Sequence, residues 1–307
     1  MLHARILTYL DEVVRQGSIR KAAEKLNVAP SAISRQIMTL EEKMGVPLLD
    51  RNMRPLAPTA AGDLLIRHIR DTVRDLARTQ AMIEELKGLR RGLVRLAVMS
   101  GLAPNIVPSA ISGFAERNPR VELKVSLVTT GDRILDAIEA GDADLGLGFD
   151  FTMRSSIRTI VSATGKLGAV MAPDHPLARE RELRLAACAS YPVALADDTT
   201  AIYPYITTAF ERLNLQPRRA VETNSIEVMR HVAMIGQTIT FLTPFDIESD
   251  IRAQRLVHVP VHELAHAQQR LMLVEAQRNP NAISSIFAET LKTLIAKADP
   301  SQSSLSG

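Results

Sequence analysis

Residues 18–62, SIRKAAEKLNVAPSAISRQIMTLEEKMGVPLLDRNMRPLAPTAAG, carry the pattern that decides the architecture of the N-terminal part. Ahead of them Ile6, Leu7, Leu10, Val13 and Val14 recur at helical spacing, Gly17 ends that helix, and Ser18 is placed to cap the next. The spacing predicts a short helix over 18–26 with Ala22, Ala23 and Leu26 inward. Asn27-Val28 supplies the turn, since Asn tolerates the backbone angles of a sharp reversal. Pro30 suits the first position of a third helix, where its missing N–H is not needed. In that helix Ile33, Ile37, Leu40 and Met44 fall on one face, which turns Ser31, Arg35, Met38 and Thr39 outward and leaves Ser34 on the border. Such a face suits a major groove: Arg35 can pair with guanine O6 and N7, the hydroxyls can reach bases or phosphate, and Met38 can touch a thymine methyl. Downstream, Arg51 and Arg54 sit in the proline-punctuated loop RNMRPLAP, as a wing would, and Thr59 precedes a long helix as its cap, with N–H groups free for a phosphate. Helix, turn, helix and basic wing together predict a grip on duplex DNA.

This stretch resembles the DNA-binding domain of the LysR-type transcriptional regulators. The match rests on Ala22-Ala23, Leu26, Ser34-Arg35-Gln36-Ile37, Leu40-Glu41, Gly45-Val46-Pro47-Leu48, Arg51, Arg54 and Thr59-Ala60-Ala61-Gly62. It departs at Ala29-Pro30, where the family is often polar, and at Leu49, where an aromatic is usual. Residues 60–91 contain no proline and set Leu65, Ile69, Thr72, Leu76, Thr79, Ile83 and Leu86 at 4-3 spacing, a heptad seam over about three repeats. Thr72 and Thr79 weaken that seam and could set its register; a helix packed on its own domain is the alternative. The resemblance implies a dimerising linker helix instead, so that two heads address two half-sites.

After residue 92 the pattern changes to strands and helices in alternation. Strands are expected over 93–99, 121–128 and 144–149, with helices over 104–118 and 132–141. A second set has strands near 168–171, 193–195, 220–222 and 238–242 and helices near 203–213 and 225–235; a strand over 270–275 and a helix over 282–298 rejoin the first set. This alternation argues for parallel βαβ units. The resemblance extends here to the family's effector domain, with the two-lobed fold of periplasmic binding proteins. The expected fold class is thus α/β with an all-α N-terminal part. Its divisions are a winged helix-turn-helix over 1–59, a linker helix over 60–91, and an effector-binding domain over 92–307. Lobe I takes about 92–164 and 265–300, and lobe II about 165–264. The tail SQSSLSG reads as disordered.

In open α/β lobes ligands bind beyond the carboxyl ends of strands. The loops there hold Ser100, Thr129, Thr130, Gly131, Asp150, Thr199, Asn224, Ser225 and Thr243, which are the candidate effector contacts. Free helix N–H groups at 130–133 and 224–226 could take a carboxylate or another anion. No arginine closely follows the Gly146-Leu147-Gly148-Phe149 strand, whereas Asp150 does, which speaks against a strongly acidic effector.

Charge is divided unevenly. Residues 1–91 hold 16 Lys and Arg against 11 Asp and Glu, an excess of five, and the remainder holds 21 against 23. The positive part is the part that would meet phosphate. One cysteine, Cys188, excludes an internal disulfide; it sits in the Ala-rich run AACAS, where packing is the expected role rather than nucleophilic attack. No charged leader precedes the first helix, so a cytoplasmic chain with no membrane contact is expected.

One motif argues for an enzyme. His262-Glu263-Leu264-Ala265-His266 matches H-E-x-x-H, in which two histidines one helical turn apart hold zinc and Glu activates a water, with Glu289 available as a third ligand. The motif follows the strand-like LVHVPV directly, and QQRLMLVEA follows, so a sustained helix is not expected there. A solute-binding protein is a third reading of the two lobes; the N-terminal pattern counts against it. The reading adopted is a regulator, not an enzyme, with no cofactor and no metal. Its partners are promoter DNA, a small-molecule effector and further copies of itself as homodimer or homotetramer, with RNA polymerase as a further partner.

Overall fold

The computed structural model describes residues 5–86, 92–278, 280 and 282–298, which form two compact units dividing near residue 80. In the first, α1 (Arg5–Gln16), α2 (Ile19–Leu26) and α3 (Pro30–Met44) bury Leu10, Val13, Ala22, Ala23, Ile33 and Ile37 against one another. The local signals act as the spacing requires. Ser18 accepts the Lys21 N–H at 3.4 Å, Asn27 ends α2 with φ 55°, and Pro30 opens α3. Met44 is a correction: it is 49% exposed, because Gly45 ends α3 there, past the part of the helix that covers the core.

A two-residue strand, β1 (Leu49–Asp50), pairs antiparallel with β2 (Ala57–Pro58) to form the wing, and α4 (Ala60–Leu86) follows. Glu41 ties α3 to the wing: Oε1 accepts the N–H groups of Leu48 (2.9 Å) and Leu49 (3.2 Å), and Oε2 pairs with Arg51 at 2.8 Å. At Gly62 a Cβ would stand 2.0 Å from the Leu48 carbonyl oxygen, so only glycine lets the first turn of α4 close on the wing.

The apolar residues on and beside the seam of α4 are divided between two environments. Leu65, Ile66 and Ile69 belong to the core of the head, and Arg70 bonds Asp11 at 2.7 Å. Farther on, Val73 and Ile83 are about half exposed. Thr72 and Thr79 donate to the carbonyls of His68 (2.7 Å) and Asp75 (2.8 Å), so their hydroxyls are spent on the helix's own backbone rather than on register. The expected helix end at 87–91, the Leu86 side chain and the tail lie outside the described residues or side chains.

The second unit has two cores. Its chain runs β3 (Gly92–Met99), α5 (Ile106–Arg117), β4 (Val121–Val128), α6 (Gly131–Ala140), β5 (Leu145–Phe149) and β6 (Ile157–Lys166). It continues through β7 (Gly168–Met171), α7 (Leu185–Ala189), β8 (Pro192–Ala196), α8 (Tyr203–Arg212), β9 (Arg218–Thr223), α9 (Ile226–Ile235) and β10 (Thr240–Leu242). It closes with α10 (Glu248–Arg252), β11 (Val257–Pro260), β12 (Gln268–Ala276) and α11 (Ala282–Ala298). The first lobe is a five-stranded sheet in the order β4-β3-β5-β12-β6, with Phe114 of α5 edge-on to Phe287 of α11 at 5.0 Å. The second holds the sheets β10-β7-β11 and β8-β9, with Phe210 edge-on to Phe241 at 5.8 Å.

The expected βαβ alternation holds for β4-β3-β5, which are parallel, whereas β12 runs antiparallel to both β5 and β6. The sheet is therefore mixed. The ten-residue β6 was not foreseen, because half-buried Ile160 and Val161 interrupt its alternation and its register with β12 shifts between Leu273 and Val274. A bulged strand leaves no period of two in the sequence.

The lobes are locked together beside β10. Phe245, in the turn Pro244–Asp246 that follows that strand of the second lobe, is buried in the core of the first. Buried Asn105 donates to the carbonyls of Gly101 (3.0 Å) and Asp246 (2.6 Å) and accepts the Ser249 hydroxyl at 2.7 Å.

Candidate functional site

On α3, Ile33 and Ile37 are fully buried while Ser31, Arg35, Met38 and Thr39 are exposed and Ser34 is half-buried. The five candidate contacts therefore share the solvent side of one helix. Thr39 donates to the Arg35 carbonyl at 3.0 Å, which leaves its oxygen lone pairs outward as acceptors. The wing arginines differ. Arg51 is paired with Glu41, whereas Arg54 is exposed at the tip and makes no ion pair among the described residues. Thr59 caps α4 by accepting the Gly62 N–H at 3.1 Å and donates to the Pro47 carbonyl at 2.7 Å. Its hydroxyl thus also fixes the loop between α3 and the wing.

In the second unit a small cleft opens at the carboxyl ends of β3, β4 and β5, against the loops before α8 and α9. Of the candidate effector contacts it gathers Ser100, Thr129 and Asn224. Met99, Phe149, Ile202 and Ile226 form its apolar wall, and Thr200, Asp246 and Gln269 complete its polar lining. Its free space is about 40 Å³, room for a few water-sized groups.

Six candidates lie outside that lining. Thr130 and Gly131 begin α6, with no capping bond from the Thr130 hydroxyl. Thr199 donates to Asp197 at 2.6 Å within an exposed turn, and Ser225 caps α9 by accepting the Val228 N–H at 3.2 Å. Thr243 is fully buried and donates to Asp246 Oδ2 at 2.7 Å. Asp150 is committed to the protein: it accepts Tyr205 O–H at 3.1 Å, Gln269 Nε2 at 3.4 Å and Arg270 N–H at 2.8 Å. The Tyr205 bond joins the lobes; burial and the neighbouring Asp150 charge push that phenol above its ordinary value.

Asp246 and Gln269 were not among the candidates. Burial pushes the Asp246 carboxyl up to about 6, against the Thr243 hydrogen bonds and the Arg230 charge that favour its ionised form. No spacing in the sequence marks either residue, because each reaches the cleft through a tertiary pairing.

The peptidase reading is overturned by geometry. Residues His262–Leu264 form a single 3-10 turn, so the two histidines do not project from one helix face. Glu263 instead accepts the Leu185 N–H at 2.9 Å; burial raises its carboxyl, but that bond and the charge of Arg184 bring it below the usual range. Glu289 pairs with Lys292 on α11. Among the described residues no three His, Cys, Asp or Glu side chains are placed to hold a metal. Cys188 is fully buried, and its thiol is pushed up to about 12 by burial and then by Glu263, as suits a packing residue. Among the described residues no helix is long and apolar enough to cross a membrane.

A helix-turn-helix head with a basic wing, followed by two lobes that meet over a cleft, defines a DNA-binding protein with a ligand-sensing domain. Residues 4–63 match the model of the bacterial regulatory helix-turn-helix proteins of the lysR family, and residues 87–295 match that of the LysR substrate binding domain. The chain belongs to the LysR family of transcriptional regulators. It is 23% identical to the RuBisCO operon transcriptional regulator of Allochromatium vinosum, over 93% of this chain and 94% of that one. A full-length OxyR variant from Pseudomonas aeruginosa superposes with a TM-score of 0.68 at 16% identity, covering 94% of this chain and 93% of that one. Full-length CbnR in complex with its target DNA has a TM-score of 0.59 at 18% identity, covering 94% and 99%. Both structures share the fold. Family membership makes the chain a regulator rather than an enzyme, and nothing supports the peptidase or solute-binding alternatives.

Proposed function

We propose that α3 reads promoter DNA through Ser31, Ser34, Arg35, Met38 and Thr39, while Arg51, Arg54 and the Thr59 cap hold the phosphate backbone. The head comprises 1–59, the helix over 60–91 joins two copies, and the two-lobed 92–307 domain binds a small effector in the cleft and associates further into a tetramer. Ligand binding shifts the lobe and subunit arrangement and so the way the heads meet and bend DNA, through linkage of two binding equilibria. The regulator works in the cytoplasm and acts on RNA polymerase.

The observation that carries this reading is the solvent side of α3: a hydroxyl, a guanidinium and a thioether stand exposed on a helix whose opposite side is fully buried. Fluorescence-anisotropy titration onto DNA from upstream of the chain's own gene, against scrambled DNA of equal length at two salt concentrations, tests it. Native DNA is expected to bind more tightly and with less salt sensitivity. Arg35→Ala should lower the discrimination by about 1–3 kcal/mol if Arg35 reads guanine. Equal weakening on both DNAs would reduce Arg35 to a phosphate contact, and wild-type binding equal on both would sink the sequence-reading proposal.

A further inference from the structure

Two acceptor atoms in the cleft have no protein partner. Asp246 is 3% exposed, and both of its hydrogen bonds, from the N–H and the hydroxyl of Thr243, go to Oδ2. Oδ1 is left over, facing Gly101, where a Cβ would stand 2.5 Å away. Gln269 is fully buried, with Nε2 turned to Asp150 at 3.4 Å and Oε1 unpartnered. A buried acceptor without a donor costs about 1–3 kcal/mol, more when charged. Gln269 Oε1 bears that cost, Asp246 Oδ1 lines the cleft without a protein donor, and a ligand held there can supply donors to both.

The cleft's charge is one-sided. Among the described residues, Asp246 is the only charged group that lines it. Arg230, whose charge reaches Asp246, is already bonded to Asp250 (2.9 Å) and Glu227 (2.5 Å). The α9 terminus has its own Ser225 cap, and the first turn of α6 carries Asp132. A carboxylate ligand would therefore enter against a fixed negative charge with no guanidinium or ammonium to meet it. A single hydroxyl would bring one donor for two acceptors. An ammonium brings three donors and the compensating charge in one small group.

We propose that the molecule bound in this cleft is a small primary amine whose ammonium group donates to Asp246 Oδ1 and Gln269 Oε1. Ser100, Thr129, Thr200 and Asn224 take the ligand's other polar atoms. Gly101 is required because a methyl there would occupy the ammonium's approach to Oδ1. This rests on the cleft being the effector site, as proposed above.

The test uses the full-length chain and three probes of similar size: ethanolamine, ethylene glycol and glycolate, each titrated to millimolar excess by calorimetry and thermal melting. Ethanolamine should bind and raise the melting temperature, and the other two should not. Asp246→Asn and Gln269→Leu should each lower ethanolamine affinity by about tenfold or more. Melts of both variants without ligand establish that they fold, and either one alone suffices to test the claim. Glycolate binding that Thr129→Val weakens would overturn the ammonium chemistry and keep the cleft. Ethanolamine binding unchanged in Asp246→Asn, Gln269→Leu and Thr129→Val would overturn the cleft as well. No binding of ethanolamine would overturn the proposal.

Discussion

Asp246 carries a cost that its neighbours do not remove. Its carboxyl titrates at about 6 in the folded protein, against an ordinary value of 3.8, because burial outweighs the Thr243 bonds and the Arg230 charge. Between those two pH values the folded state holds the proton more tightly than the unfolded chain, so stability falls as pH rises; above about 6 the whole penalty, roughly 3 kcal/mol, is present. Burial acts in the opposite direction on His175 and His258, lowering both, so they take stability away as pH drops below about 6.5. Those two remain in an Asp246→Asn variant and cancel in the difference. Urea unfolding from pH 4 to pH 7 should therefore show Asp246→Asn gaining on the parent as pH rises, by up to about 3 kcal/mol. Any loss of capping bonds at Thr243 adds a constant offset that does not vary with pH. A flat difference would mean that Asp246 titrates normally. A stability cost borne by residues that line a cleft is what a binding site shows when ligand affinity was retained over stability.

The linker helix poses the corresponding problem for a whole element. Leu65, Ile66 and Ile69 already have a partner in the head, so if α4 joins two copies it is the part beyond Arg70 that offers apolar surface for it. Val73 and Ile83 are the described apolar side chains exposed there. Burying the exposed half of each is worth about 0.8–1.5 kcal/mol, and a symmetric contact along this part of α4 would contain both from each copy. If α4 joins two copies there, Val73→Glu together with Ile83→Glu should raise the dimer dissociation constant by about a hundredfold or more, read by sedimentation equilibrium. An unchanged constant would assign dimerisation elsewhere and leave α4 as a helix of its own head. This helix and the three before it were legible in the sequence, because Ser18, Asn27, Pro30, Gly45 and Thr59 act on neighbours within four residues. The missed parts have long-range causes. Strand β6 is recognisable only once paired with β12, and Gln269 reaches the cleft because that pairing sets it opposite Gly165. Asp246 is placed by Phe245, which enters the core of the other lobe. Glu41 was legible as part of a family pattern, but its role of holding Leu48, Leu49 and Arg51 was not.

Across the whole chain, the uneven charge separates affinity from specificity. The first 91 residues carry five excess positive charges and the remainder two excess negative ones, so the attraction to phosphate belongs to the head and the effector domain adds none. Within the head the arginines are not equivalent. Removing Arg51 also leaves Glu41 without its cation and loosens the wing, whereas Arg54 can be removed with nothing else disturbed among the described residues. If Arg54 meets one phosphate, its loss releases one fewer counterion per head. The slope of log affinity against log salt should then become shallower by about 0.9 per head, or about 1.8 for a dimer on two half-sites. Arg54→Ala should weaken native and scrambled DNA alike, because a phosphate contact carries no sequence information. Arg35→Ala should do the reverse, reducing the preference for native DNA with little change on scrambled DNA. Salt titration of both variants on both DNAs separates the two roles. An Arg54→Ala slope equal to the parent's would place the wing tip away from the backbone, and a change on native DNA alone would make Arg54 a reader of sequence.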